Sequence, residues 1–243
     1  MKRLENKPRT ASNAEHKCWF EQDLLGQLYH VNLGFLRLVM SRLGPSQQAA
    51  ETMLRANLDL WQHQNEASLQ WLAWSPFALI DAAFAEGALW QSMLAIRPEP
   101  VWSAVAEPTL PFPAPEANAL DRRSLLANNG GRHLTRVATA LSWHVARHQP
   151  LAARLTFGMS GRVLRSLVQI DLGALDLIVS RQPTWIKPRW AEEPEVWCDL
   201  LRAALSKDET QREATRVGAL QLIARELARA AEIDEATNHG VRA

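Results

Sequence analysis

Apolar residues recur at three- and four-residue intervals along most of this chain, a period that predicts helices nearly throughout. From Gln22 to Leu43 the stripe runs through Leu24, Leu25, Leu28, Val31, Phe35, Leu36, Val39 and Met40, and Gly44-Pro45 closes it. A second helix is predicted over 46–74, with Met53, Leu54, Leu58, Trp61, Leu69 and Leu72 on its apolar side. Ser75-Pro76 then reads as an N-cap followed by proline at the first helical position, opening a third helix that continues to Ile96. Residues 97–116 hold six prolines, the pattern of a stiff extended connector and a domain boundary.

Beyond that boundary, Leu134, Val137, Leu141 and Val145 define a helix that stops before Pro150. A short helix over 151–157 breaks at Gly158. Ser160 can cap a helix carrying Val163, Leu164, Leu167 and Val168, and Asp171 another carrying Leu172, Leu175, Ile178 and Val179. Joined across Gln169-Ile170-Asp171, these two have the layout of a helix-turn-helix. Helices over 195–205 and 208–232 follow. In the last, Val217, Leu220, Ala224, Leu227 and Ala231 alternate by three and four. That seam can pair with a neighbouring helix, making Val217, Leu220 and Leu227 candidate oligomer contacts, or it can pack on its own domain.

No strand and no glycine-rich phosphate loop is read from the pattern. The expected fold class is therefore all-α. Its parts are a disordered arm (1–20), a helical domain (21–96), a proline-rich linker (97–120), a second helical domain (121–190) and a helical tail (191–243).

Charge changes this picture. Between Asp121 and Trp190 eleven basic residues, ten of them arginine, face three acidic ones, although the whole chain carries only +1. The residues on either side are net acidic. Arginine makes forked contacts with phosphate or carboxylate, so a basic middle predicts a nucleic-acid footprint or a surface for an acidic partner. Arg154, Arg162, Arg165, Arg181, Lys187 and Arg189 are the candidate DNA contacts. The second helix of the helix-turn-helix offers only Asp176, Ser180 and Arg181 as polar readers, which is too apolar for recognition by itself.

Catalytic chemistry has little to stand on. His144 and His148 lie one helical turn apart, but no third ligand is near in sequence, so no metal and no cofactor is expected. Cys18 and Cys198 make neither a disulfide framework nor a zinc spacing, and Cys198 beside Trp197 reads as a buried thiol. No triad signature or nucleophile elbow is present. The N-terminal stretch is polar and basic without an apolar core, and no apolar run reaches the roughly 20 residues of a membrane span. A cytoplasmic, reduced, non-enzymatic protein with no membrane contact is the expectation.

Two passages resemble the D subunit of the flagellar master transcriptional regulator, the FlhD family. One is LLGQLYHVNLGFLRLVMSRL, with Asn32, Leu33, Gly34, Phe35 and Leu36 at its centre. The other is LTFGMSGRVLRSLVQIDLGALDLIVSRQPTWIKPRW, with its Gly158-Met159-Ser160 turn and Arg181-Gln182. Residues 131–190 could form one copy and 22–96 a degenerate second, with Ser75–Leu79 standing where Asp171–Leu175 stand. The resemblance implies an all-helical, dimer-forming activator that binds DNA, weakly alone or with a zinc-binding partner subunit. The other reading is a non-enzymatic helical adaptor or scaffold whose basic domain docks an acidic partner.

Overall fold

A computed structural model describes residues 11–43, 52–84, 90–91, 129–181 and 186–240. Ten helices and two very short strands are bounded within them. In chain order these are α1 (Ala11–Arg42), α2 (Thr52–Ala56), α3 (Leu58–Gln62), α4 (Glu66–Ala73) and β1 (Ile80–Asp81). After them come α5 (Asn129–His148), α6 (Pro150–Phe157), α7 (Gly161–Leu167), α8 (Leu172–Arg181), β2 (Lys187–Pro188), α9 (Pro194–Leu205) and α10 (Glu209–Gly240). The chain is all-α, as the period predicts. The proline-rich linker lies outside the described residues.

Local signals hold where the chemistry is local. Ser160 accepts the N–H of Val163, Asp171 Oδ1 accepts that of Ala174 at 2.8 Å, and Gly158 ends α6 in the left-handed region at φ 69°. The structure departs from the expected elements in four places. Helix α1 starts at Ala11, within the stretch expected as an arm.

The single helix expected over 46–74 is three. Asn57 turns its amide onto the carbonyls of Met53 and Pro194, and Gln64 bonds those of Leu60 and Leu201. Asn65 and Ser68 then form a capping box that restarts the chain as α4.

Ser75-Pro76 does not open a helix. Residues 76–79 form a bent, non-helical stretch that leads into β1, which pairs antiparallel with β2, Ile80 opposite Pro188 and Asp81 opposite Lys187. The expected absence of strands is corrected accordingly. The equivalence of Ser75–Leu79 with Asp171–Leu175 fails here too, since Leu172 opens α8.

Lastly, the expected domains share one core. Helix α1 packs on α4 and α5, and α9 of the expected tail packs on α2, α3 and α4. Trp197 of α9 is fully buried, 5.5 Å from Trp61 and 6.0 Å from Phe35 between ring centroids. Burying a tryptophan removes roughly 200 Å² from water, a gross gain of about 5 kcal/mol that would be forfeited if the halves separated. Three hydroxyls on the buried side of α5 enter this core with acceptors for their protons. Thr135, Thr139 and Ser142 each bond a carbonyl three or four residues back in α5.

Candidate functional site

Among the described residues, the arginines of the basic segment are not all available at the surface. Arg189 is 4 % exposed, enclosed by α6, α10 and the strand pair. Its backbone N–H bonds Leu79 O at 2.9 Å, and its guanidinium reaches toward Thr156 O at 3.5 Å. Burial pushes its pKa down, while the nearby carboxylates of Asp81 and Glu226 push it up. Glu226 also accepts the indole N–H of Trp190 at 2.8 Å. The expectation that Arg189 contacts DNA is corrected: a charge this deep needs internal carboxylates and meets no phosphate.

Other members are engaged at the surface. Arg136 Nε lies 3.3 Å from Asp176 and its Nη2 donates to Ser180 at 3.1 Å, so one arginine occupies two of the polar readers of α8. Arg147 lies over the Trp143 ring at 4.9 Å. Arg162 donates to Gln91. Arg154 is half-buried, and its Nε is sequestered without an acceptor. Arg165 and Lys187 are exposed, and the side chain of Arg181 lies outside the described residues. Helices α7 and α8 both pack against α5. Of the seam on α10, Leu227 is buried at 8 % and belongs to the inward face with Ala219, Ile223 and Ala230. As an oligomer contact it is corrected, because α10 needs that residue for its own packing. Val217 and Leu220 do face solvent, at 51 % and 36 % exposure.

An open groove lies elsewhere. Helices α1 and α5 lie side by side and leave a groove of about 910 Å³ between them. Its floor is apolar, built from Val31 and Leu38 of α1 with Leu134, Val137 and Leu141 of α5. Gly34 and Ala140 contribute little or no side chain to its middle. Along the rim stand His30 and Arg37 from one helix and His133 and His144 from the other. Arg37 is paired with exposed Glu66 at 2.6 Å, and this bond holds the Glu66 carboxyl below its usual range.

No family model matches the chain, and neither a curated protein nor a solved structure is similar to it. Function therefore rests on the geometry.

His144 and His148 sit with ring centroids 4.3 Å apart, and His148 Nδ1 lies 2.8 Å from the His144 carbonyl. Among the described residues no group of three or more His, Cys, Asp or Glu could hold a metal ion, and no helix is long and apolar enough to cross a membrane. Sequence reading missed the groove, although a signal was there. Val137 belongs to the apolar stripe of α5 yet remains 42 % exposed, so that stripe is wider than the protein's own core uses.

Proposed function

We propose that this protein is a helical adaptor that works by binding, taking a helix of a partner protein into the α1–α5 groove. The observation that carries this reading is the groove's apolar floor, open to solvent between α1 and α5. Laying an amphipathic helix in such a groove is a recurrent mode of recognition, read through anchors at i, i+3, i+4 and i+7. The exposed part of Val137 and half-buried Leu38 would gain burial from an occupant.

A DNA-binding regulator of FlhD type, the reading that charge favours, draws less support. Its positive field is divided by the internal Arg189 and by the engagement of Arg136 with Asp176 and Ser180.

Two measurements test the adaptor. A gel shift with duplex DNA at roughly 50 mM salt, where electrostatic binding is strong, should show no complex. A leucine-faced helical peptide with uncharged flanks should bind the full chain, and Val137→Glu should abolish that binding while the helical circular dichroism stays unchanged. A salt-sensitive duplex complex with no peptide binding would reverse the choice.

A further inference from the structure

We infer that the helix received by the α1–α5 groove is acidic along its flanks: a short amphipathic segment with an apolar stripe bordered by glutamate or aspartate. This rests on the adaptor reading and adds the chemistry of the partner.

Length comes first. Groove-lining residues span 27–38 on α1 and 130–144 on α5. At about 1.5 Å per residue, that is a trough of roughly 16–21 Å, enough for three to four turns. The occupant is a single short helix rather than a domain face.

Depth is set by Gly34. It lies exposed in the body of α1, where a glycine costs roughly 0.5–1 kcal/mol relative to alanine. The protein's own packing does not require it. A Cβ there would meet Leu134 Cδ1 at 3.6 Å, an ordinary van der Waals contact. What the missing side chain offers is a closer approach for a third helix axis, whose distance depends on the side chains at the contact.

Charge selection comes from the rim. Among the described residues its polar members are Gln27, His30, Arg37, His133 and His144, and none of them is a carboxylate. The nearby acids are committed: Asp23 accepts from Gln27 Nε2 at 2.7 Å, and Glu66 accepts from Arg37. A guanidinium offers only donors, and an imidazole offers an N–H in either protonation state. Carboxylates flanking an apolar stripe satisfy such a rim on both sides. Lysines in the same places would meet the Arg37 guanidinium and gain no acceptor beyond an imidazole nitrogen. Like-signed juxtaposition of that kind is what excludes a wrong partner.

The test uses the full-length chain and three fluorescent 14-residue peptides with one shared leucine face, flanked by Glu, Gln or Lys. Fluorescence anisotropy at roughly 50 mM salt, where rim charges are weakly screened, should rank them Glu, then Gln, then Lys. The Glu peptide should bind at least tenfold more tightly than the Lys peptide. Arg37→Gln combined with His133→Gln should shrink that gap to within about threefold, and Val137→Glu should remove all binding. Equal affinity for the Glu and Lys peptides, still sensitive to Val137→Glu, would overturn the charge inference and leave the groove standing. Absence of binding by every peptide would sink the adaptor reading itself.

Discussion

Asn32 holds the backbone of Leu79. Its Oδ1 accepts the Leu79 N–H at 2.9 Å, and its Nδ2 donates to the Phe77 carbonyl at 2.9 Å and to that of Ala73 at 3.3 Å. A fully buried amide on α1 thereby supplies partners for the end of α4 and the non-helical segment after it. That segment has few alternatives, because it passes between the α6–α7 turn and β2. Ala78 N bonds Thr156 O, Ser160 N bonds Phe84 O, and Arg189 N bonds Leu79 O, all at 2.9 Å.

Replacing Asn32 with leucine keeps the volume and removes every one of the amide's bonds. Leu79 N–H and Phe77 C=O would be left buried without these partners, at about 1–3 kcal/mol each. Urea denaturation of Asn32→Leu should show a loss of about 3 kcal/mol. A loss under 0.5 kcal/mol would mean that the segment is held by its other bonds alone.

Arg189→Met should destabilise the fold instead of merely reducing surface charge. Asp81 and Glu226, both half-buried, would lose the cation whose charge they offset. Its thermal midpoint should fall well below those of Arg165→Met and Lys187→Met, whose positions are exposed.

Gly158 is the matching position on the other side of this cluster. With φ 69° and a would-be Cβ 2.5 Å from Arg189 Nη2, it has neither the backbone conformation nor the space for a side chain. Gly158→Ala should cost about 1–3 kcal/mol in chemical denaturation. Gly34→Ala should do the reverse and stabilise by about 0.5–1 kcal/mol, because its extra methyl fits beside Leu134.

Trp71 docks α10 onto α4. The guanidinium carbons of Arg212 and Arg216 lie 5.4 and 4.4 Å from its ring centroid, and Arg216 Nη2 donates to its carbonyl at 3.0 Å. Trp71→Leu should remove both cation–π contacts, worth about 0.5–2 kcal/mol each. Hydrogen exchange in the first half of α10 should then speed up several-fold, with α5 unaffected.

Glu66→Gln offers a check on the groove that leaves its lining untouched. The Arg37 guanidinium holds the Glu66 carboxyl below its usual range, so the pair's contribution is present above the unfolded carboxyl pKa and is lost as pH falls through the folded value. Both groups are exposed, so the effect on stability should be slight. Freeing Arg37 should raise affinity for the Glu-flanked peptide a few-fold at neutral pH, read by the same fluorescence anisotropy.

The sequence alone determined what neighbouring residues can settle among themselves. The helical class follows from the apolar period, and the Ser160 and Asp171 caps and the Gly158 break follow from single side chains acting within one turn. Tertiary structure decided the rest, because the deciding partners lie far away in the chain. The breaks in 46–74 use the carbonyls of Pro194 and Leu201, each 137 residues from the amide it meets. Arg189 looks like any surface arginine in sequence, and it is internal because Asp81 and Glu226 are brought to it across the fold. The groove exists only once α1 and α5 lie side by side. Periodicity says which face of each helix is apolar, but how much of that face the molecule itself covers is settled by packing.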